Sequence, residues 1–165
     1  MNRIHVFHGV NLHLLGQREP DIYGRITLDE VNGRLIETGQ THGFTVECRQ
    51  TNYEGELVDW ITKLTPSDFL ILNPGAWTHT SYALYDAIKG VSVPALEVHL
   101  SNIYARESFR SHSVIAGACV GQISGLGTDS YFLALAYALE FQKYRQKERN
   151  SNHEAGKDSP ETGRE

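Results

Sequence analysis

The chain has 165 residues, a length that fits one domain with a substantial core. Its formal net charge is −5 and its Lys and Arg residues form no cluster, which argues against a nucleic-acid-binding protein and favours a small ligand. No apolar run is long enough to span a bilayer, and the N-terminal residues lack the apolar stretch of a signal peptide, so we expect a cytoplasmic protein that does not bind membranes.

Hydrophobic patterning divides the chain into alternating strands and helices. Period-two or continuous apolar runs predict strands over residues 4–10, 44–50, 69–73, 95–100 and 119–125. Helical spacing and end signals predict helices from a Thr27–Glu30 capping box to Gly43, around 57–64, over 81–89, over 105–112 and over 129–147. The order βαβαβαβαβα predicts an α/β fold, specifically a flavodoxin-like three-layer sandwich with a five-stranded parallel sheet.

The end of the chain differs in composition from the rest. Beyond Tyr144 the sequence is polar, charged and almost without apolar residues. Such a segment buries too little surface to offset its ordering entropy. We therefore predict a single α/β domain at residues 1–147 and a disordered polar tail at residues 148–165.

Polar side chains collect where the predicted strands end. The carboxyl ends of parallel strands share one edge of the sheet, and doubly wound folds bind their ligands outside that edge. The hydrogen-bonding residues at this edge include Asn11, Gln50, Asn52, Asn73, His79, Glu97, His99, Ser101 and Asn102. The sequence therefore predicts a small-molecule site there.

Each of these residues also has a purely structural interpretation. Asn73 precedes a proline and either fixes a turn or binds a ligand. His99 lies in an apolar strand and is either a satisfied core histidine or a functional one. Arg110 is either a solvated helix charge or part of the site, and Tyr23 is either a packing aromatic or a base. Their joint placement favours the functional interpretation.

We expect neither a metal nor a nucleotide cofactor. The eight histidines show no metal-ligand spacing. Cys48 and Cys119 are interpreted as reduced, buried thiols. The sequence contains no G-x-G-x-x-G and no P-loop motif, so a flavin or nucleotide site, the rival that the fold suggests, has no sequence support.

The connection after the first strand contains an unusual pair of groups. In the stretch QREPDIYGR at 17–25, Pro20 and Gly24 are ordinary loop residues. Arg18 and Tyr23 place a guanidinium and a phenol close together, and a turn requires neither group.

Several stretches, in this order, resemble the type II 3-dehydroquinate dehydratases, also called type II dehydroquinases. They are GVNLHLLG at 9–16, REPDIYG at 18–24, QTNYEGELVDWI at 50–61, ILNPGAWTHTSYALYDA at 71–87, EVHLSNIYARESFRSHS at 97–113 and GLGTDSYFLAL at 125–135. Together they extend the resemblance from residue 4 to about residue 141. The blocks containing Arg18 to Gly24 and Glu97 to Asn102 are the most specific.

The resemblance implies a hydro-lyase of the shikimate pathway, which leads to chorismate and the aromatic amino acids. The reaction is the anti elimination of water from 3-dehydroquinate through an enolate to 3-dehydroshikimate, without cofactor or Schiff base. The family also implies a dodecamer built from trimers. The alternative is a non-catalytic flavodoxin-like relative that binds a polyhydroxy carboxylate. An imine mechanism needs a buried lysine, whereas the lysines of this chain lie at predicted helix ends or in the tail.

The resemblance also assigns roles to individual residues. Tyr23 is expected to be the general base, held as the phenolate by Arg18. His99 is expected to be the general acid, with its ring oriented by Glu97, and Asn11 is expected to help stabilise the enolate. The expected substrate-binding residues are Asn73, His79, Arg110, Leu100 and Ser101 at the carboxylate, and Asp86 from a neighbouring subunit.

The pairing of Arg18 with Tyr23 agrees with simple electrostatics. An unperturbed tyrosine has a pKa of about 10 and is a poor base at neutral pH. A cation about 4 Å away, at an effective dielectric constant of about 20, stabilises the phenolate by roughly 4 kcal/mol, which lowers the pKa by about three. One arginine is therefore about sufficient to bring the phenol near neutrality, although burial opposes the effect.

The chain departs from the family pattern at a few positions. His8, Val10 and His13 stand where relatives usually carry Asn, Pro and Asn, and Tyr104 stands in place of a usual histidine. Trp77 is larger than its usual counterpart. Val10 lacks the fixed φ angle of proline, so a less rigid approach of the next residue is expected. None of these positions carries the expected acid or base.

Overall fold

A computed structural model describes residues 3–17, 21 and 25–155 of the chain. Within these residues, five strands form one parallel sheet in the order β2-β1-β3-β4-β5. The strands are β1 (Arg3–His8), β2 (Thr45–Gln50), β3 (Phe69–Asn73), β4 (Ala95–His99) and β5 (Gly121–Ser124). This is the strand order of flavodoxin-like, doubly wound sheets, and it confirms the predicted fold class.

Helices cover both faces of the sheet. The α-helices in the described ranges are α1 (Leu28–Thr41), α2 (Glu54–Thr62), α3 (Tyr82–Val91) and α4 (Asp129–Ala155). Short 3₁₀ helices lie in the connections at Leu12–Leu14, Gly75–His79, Ile103–Ala105, Ser108–Ser111 and Ala116–Ala118. None of the helices in the described part of the chain is both long and apolar enough to cross a membrane.

Alternation along the strands separates two apolar layers. On β1, Ile4 and Val6 point to the layer formed with α1 and α4, where Leu35 and Leu135 are buried. Phe7 points to the opposite layer, formed with α2 and α3. Because both faces of the sheet are covered, the central strand β3 is buried at every position, as its continuous apolar run predicted.

Helix starts follow local capping signals. The Thr27 side chain accepts a hydrogen bond from the Glu30 backbone N–H at 3.3 Å, as the capping box predicted. Helix α3 is capped by Ser81, whose hydroxyl oxygen accepts from the Leu84 N–H at 3.1 Å. Each cap satisfies a backbone donor that the first turn of the helix leaves unpaired.

The predicted helix over 105–112 is wrong. The segment forms two separate 3₁₀ turns, interrupted at Arg106, whose backbone is extended. Asn102 caps the first turn by accepting from the Tyr104 N–H at 3.1 Å. Asn and Ser side chains compete for backbone groups, and so short a segment cannot offset the cost of helix nucleation.

The last helix is longer than predicted. Helix α4 ends at Ala155, whereas the composition favoured an end at Lys147 and a disordered tail from 148 onward. Extending an existing helix needs no new nucleation, and the added residues include good helix formers such as Glu148 and Arg149. Residues 156–165 of the predicted tail lie outside the described residues, and the division into domain and tail stays a prediction.

Strand register brings the polar strand ends together. His8, the last residue of β1, pairs with Gln50 on β2 and with Asn73 on β3. On the other side of the sheet, His99 pairs with Ser124. The carboxyl edge of the sheet therefore carries a row of hydrogen-bonding side chains, as predicted from the sequence.

Candidate active site

A cavity opens at this carboxyl edge of the sheet. Its wall is formed by the turn after β1, the end of β3, the end of β4 and the loop that follows β4. The predicted site residues that line it are Asn11, Asn73, His79, His99, Leu100, Ser101 and Arg110. Glu97 lies behind His99, while Asp86 is exposed on α3 and is not part of the wall. Arg18 and Tyr23 lie outside the described residues.

Glu97 is a buried carboxylate beneath the cavity. Its side chain is fully buried, and its two oxygens accept hydrogen bonds from the Ser113 hydroxyl, at 2.6 Å, and from the Gln122 amide. Burial by itself raises the pKa of Glu97, but the neighbouring His99 ring and these two donors outweigh burial and hold the pKa below its usual value. Glu97 is therefore an anion at neutral pH.

His99 lies between this carboxylate and the cavity. Its Nε2 atom is 3.2 Å from Glu97 Oε2, a distance typical of an ion pair. The alignment is too poor for a hydrogen bond, and this buried nitrogen has no hydrogen-bond partner among the described residues. Because the ring is 6 % exposed and also lines the cavity, His99 is both a buried residue and a functional candidate.

Asn73 fixes a turn, the first of its two predicted roles, and also lies in the cavity wall. Its Oδ1 atom accepts from the Gly75 N–H at 3.1 Å, which fixes the turn after β3. Its Nδ2 atom donates to the Tyr131 hydroxyl at 3.0 Å. The same side chain lines the cavity, so the turn holds the amide in place for a ligand.

Asn11 adopts a left-handed backbone conformation with a φ angle of 66°. Its backbone N–H donates to Asn52 Oδ1 at 2.9 Å, and Gln50 Nε2 donates to the same oxygen at 3.0 Å and to the Gly9 carbonyl at 3.2 Å. The sequence places Asn52 and Gln50 at the edge of the sheet but indicates no role for either. The structure shows that they hold the loop at which proline is replaced by Val10.

His79 and Arg110 also line the cavity. His79 Nδ1 lies 2.8 Å from the carbonyl oxygen of His112, so Nδ1 carries a hydrogen and donates to that oxygen. Arg110 Nε donates to Glu107 Oε2 at 2.9 Å. Glu107 partly balances its charge, and Arg110 lines the cavity with its side chain 20 % exposed.

Arg106 is a cavity residue that the sequence did not reveal. Its Nη1 atom donates to the Ser101 hydroxyl oxygen at 3.3 Å, and its side chain is 14 % exposed. The predicted helix over 105–112 hid this role, because a regular helix gives no reason for Arg106 to turn back toward Ser101. Arg106 Nε also lies 3.8 Å from Glu107 Oε2, so the two guanidinium groups at this wall, those of Arg106 and Arg110, share one carboxylate.

The departures from the family pattern are accommodated in different ways. His8 is completely buried at the end of β1, and Tyr104 is 65 % exposed. Trp77 is partly buried against the layer formed with α2 and α3. His13 is exposed. Val10 lines the cavity itself.

The described part of the chain has no group of side chains placed to bind a metal ion, and its two cysteines are not set up to react. No group of three or more His, Cys, Asp and Glu side chains there is placed to hold a metal ion. Cys48 and Cys119 are free and partly buried. Burial raises the pKa of each thiol to about 12, so both remain protonated at neutral pH.

Comparison with known proteins agrees with this fold. The family model described as dehydroquinase class II matches residues 2–139. A protein of Desulfitobacterium hafniense named 3-dehydroquinate dehydratase is 63 % identical over 140 residues, covering 85 % of this chain and 97 % of that protein. One of the same name from Halalkalibacterium halodurans is 53 % identical over 144 residues, covering 87 % of this chain and 99 % of that protein.

A solved structure extends the likeness to three dimensions. The crystal structure of a type II dehydroquinase from Propionibacterium acnes superposes with a TM-score of 0.80 at 44 % sequence identity, covering 84 % of this chain and 96 % of that one. Since sequence, family model and structure all agree over most of the chain, the protein belongs to the class II dehydroquinase family.

Proposed function

We propose that this chain catalyses the elimination of water from 3-dehydroquinate to give 3-dehydroshikimate, a step of the shikimate pathway. The observation that carries the proposal is the arrangement of His99, Asn73 and Ser101 around one cavity, with Glu97 behind His99, in a member of this family. The reaction needs an acid for the departing hydroxyl, a base for the proton next to the ketone, and a site for the carboxylate. The cavity wall supplies candidates for the first and third of these.

His99 is the proposed general acid. It lines the cavity from the end of β4, and Glu97 lies 3.2 Å behind its Nε2 atom. The buried carboxylate balances the positive charge of the ring when the ring carries the proton to be donated. Because Ser113 and Gln122 fix the Glu97 carboxylate, that carboxylate in turn restricts the orientation of the His99 ring.

Tyr23 is the proposed general base, with Arg18 as the cation that stabilises its phenolate. The support is membership of the family and the need for a proton acceptor in addition to the acid. The proton is removed from the carbon next to the ketone, and its electron pair forms the enolate. Collapse of the enolate then expels the hydroxyl, which takes the proton of His99 and leaves as water.

The remaining cavity residues are proposed to bind the substrate. The Leu100 and Ser101 backbone N–H groups and the Ser101 hydroxyl would hold the carboxylate, near the two guanidinium groups of Arg106 and Arg110. Asn73 and His79 would bind hydroxyl groups. Asn11 would help stabilise the enolate from the turn that Asn52 holds.

The first test is turnover by the purified protein. Formation of the product introduces a conjugated enone, so ultraviolet absorbance should rise after 3-dehydroquinate is added, and the rate should survive treatment with a chelator. Absence of turnover by a folded protein would overturn the proposal. Binding of substrate without turnover would instead support a non-catalytic relative that binds polyhydroxy carboxylates.

A second test separates the enolate mechanism from an imine mechanism. Borohydride reduces an imine between a lysine and the substrate ketone to a stable covalent adduct. Treatment in the presence of substrate should leave the mass and the activity of the protein unchanged. A mass increase localised to any lysine would contradict the enolate mechanism.

Asp86 and the assembly state belong to the same proposal. Asp86 is exposed on α3, which suits a residue that reaches the site of a neighbouring subunit. We propose a dodecamer built from trimers in the cytoplasm, in which Asp86 completes the adjoining site. Light scattering should give the mass of twelve chains, and Asp86→Asn should reduce kcat/KM without changing that mass. A fully active monomer would remove Asp86 from the site.

A further inference from the structure

A chain of four hydrogen-bonded side chains lies beneath the floor of the cavity. His8 Nε2 is 2.7 Å from Asn32 Oδ1, and His8 Nδ1 is 2.7 Å from the Tyr131 hydroxyl. The oxygen of the same hydroxyl accepts a hydrogen bond from Asn73 Nδ2 at 3.0 Å. His8 and Tyr131 are completely buried, and of the four residues Asn73 alone lines the cavity.

The hydrogen atoms in this chain can be ordered in one direction. The Gly75 N–H must donate to Asn73 Oδ1, so the Asn73 NH₂ group faces Tyr131 and donates to it. The Tyr131 hydroxyl therefore directs its own hydrogen to His8 Nδ1. His8 must then carry its hydrogen on Nε2, from which it donates to the oxygen of Asn32.

The opposite ordering leaves a buried group without a partner. If His8 carried a hydrogen on Nδ1, the Tyr131 oxygen would face donors from both His8 and Asn73, and its own hydrogen would have no acceptor in the chain. An unpaired buried donor costs free energy that the observed ordering avoids. Burial also lowers the pKa of His8 to about 4, which agrees with a neutral ring.

We propose that His8 is a positioning residue, which acts through Tyr131 to hold one Asn73 N–H and thereby directs the other Asn73 N–H toward an oxygen of the substrate. His8 does not line the cavity, so it has no direct role in the chemistry. The ligand group that this site would take is a hydrogen-bond acceptor, such as a hydroxyl or carbonyl oxygen. This proposal rests on the proposed function, because a substrate must occupy the cavity for Asn73 to act.

Two substitutions of His8 test the hydrogen bonds of its two ring nitrogens separately. The amide of asparagine reaches the place of Nδ1, so His8→Asn keeps an acceptor for the Tyr131 hydroxyl and loses the contact with Asn32. The amide of glutamine reaches the place of Nε2, so His8→Gln keeps the contact with Asn32 and loses Tyr131. Each variant gives up one buried hydrogen bond, so the two should lose similar stability.

The expected kinetic results differ between the two variants. His8→Gln should lower kcat/KM roughly tenfold, as should Tyr131→Phe, whereas His8→Asn should lower it by less than about threefold. Gln142→Leu is the matched control. Gln142 is buried on α4, the helix that also carries Tyr131, and its amide donates to the Arg3 and Ser67 carbonyls at the far end of the sheet. Its loss should reduce stability and leave kcat/KM unchanged.

A second measurement needs no substrate. The side-chain amide resonances of Asn73 in a ¹⁵N–¹H spectrum should move in His8→Gln and stay near their wild-type positions in His8→Asn. Equal losses of kcat/KM in the two variants, or equal shifts of the Asn73 amide, would overturn the proposal. If the wild-type protein does not turn over 3-dehydroquinate, the proposed function fails, and the amide spectrum still decides the role of His8.

Discussion

Glu97 and His99 lie two residues apart on β4, and a carboxylate oxygen of the first is 3.2 Å from an imidazole nitrogen of the second. Residues spaced by two on a strand point to the same face, so the backbone itself brings them together. Ser113 and Gln122 then fix the carboxylate from behind. The orientation of the His99 ring consequently depends on residues that do not line the cavity.

Removing the charge of Glu97 should therefore impair catalysis more than binding. Glu97→Gln keeps the size of the side chain but places an amide beside two donors and an imidazole. General acids contribute about 10²- to 10⁴-fold to rate, and we expect kcat to fall roughly 100-fold with a smaller change in KM. Steady-state kinetics on 3-dehydroquinate checks this.

Glu47→Gln is the control for that substitution, because Glu47 lies on β2, outside the cavity wall, and forms ion pairs with Arg3 and Arg49. Its kcat should equal that of the wild-type protein. A Glu97→Gln protein with wild-type kcat would show that the carboxylate has no part in the proton transfer.

Asn52 should matter through the backbone of Asn11. Asn52→Ala removes the oxygen that accepts from the Asn11 N–H and from Gln50, so kcat/KM should fall about tenfold while the free energy of unfolding falls by only about 1 kcal/mol. Asn52→Asp retains an oxygen acceptor and should stay close to the wild-type value. If both variants have the same kcat/KM, the hydrogen bond from the Asn11 N–H to Asn52 does not contribute to catalysis.

Gly75 should not tolerate a side chain. It has a φ angle of +62°, and a Cβ atom there would lie 2.7 Å from the Val10 carbonyl oxygen. Gly75→Ala should lower the free energy of unfolding by at least about 1–2 kcal/mol, because the left-handed conformation alone costs that much.

Gly33→Ala is the matched control for Gly75. Gly33 lies within α1 and a Cβ atom would meet nothing within 4 Å, so alanine should stabilise the protein by about 0.5–1 kcal/mol. Urea unfolding of both variants tests the pair. A Gly75→Ala protein as stable as the wild type would mean that the two turns can move apart at little cost.

Buried His8 predicts a specific dependence of stability on pH. Its pKa is lowered from 6.5 to about 4 in the folded state, so between these values the unfolded chain binds a proton that the folded chain does not. Stability therefore rises with pH across this window, and about 2 kcal/mol should be lost between pH 7 and pH 5. The pKa of Glu97 is also lowered, so its contribution to stability is present above its unfolded value of 4.5 and is lost as the pH falls below that value.

The His8→Asn variant isolates the contribution of this histidine. Burial likewise lowers the pKa of His5, which remains in the variant and accounts for part of any residual pH dependence. Urea unfolding at pH 7 and pH 5 should show a clearly smaller loss in the variant than in the wild type. Equal losses would mean that His8 is not neutral in the folded state.

The architecture was predictable because each strand and most helices carry their own local signals. The apolar run at β3 and the capping box at Thr27 need no tertiary information. The segment around Arg106 was predicted wrongly because Asn102 caps a short 3₁₀ turn and the Arg106 side chain contacts Ser101, and helical spacing reveals neither contact. The length of α4 was also underestimated, since continuation of a long helix outweighs a local lack of apolar residues.

Topology alone predicted the site residues that lie at strand ends, whereas the roles of Asn11, His79 and Arg110 were predicted from the family resemblance. Parallel topology brings Asn73, His99 and Ser101 to one edge whatever the details of packing. The link from His8 to Tyr131 joins residues 123 positions apart, and the link from Asn73 to Tyr131 joins residues 58 apart. No periodicity or spacing in the sequence encodes such pairings, so they had to come from the structure.

The base assignment is the central claim of the mechanism, and Tyr23→Phe tests it most directly. This variant loses only the hydroxyl that is proposed to accept the proton, and Tyr144→Phe serves as its control because Tyr144 is 65 % exposed on α4. The assay follows enone absorbance at saturating 3-dehydroquinate, with substrate binding measured in parallel. We predict that Tyr23→Phe loses at least about 100-fold in kcat while binding is largely kept and the control is unchanged. Near-normal turnover by Tyr23→Phe would contradict the account.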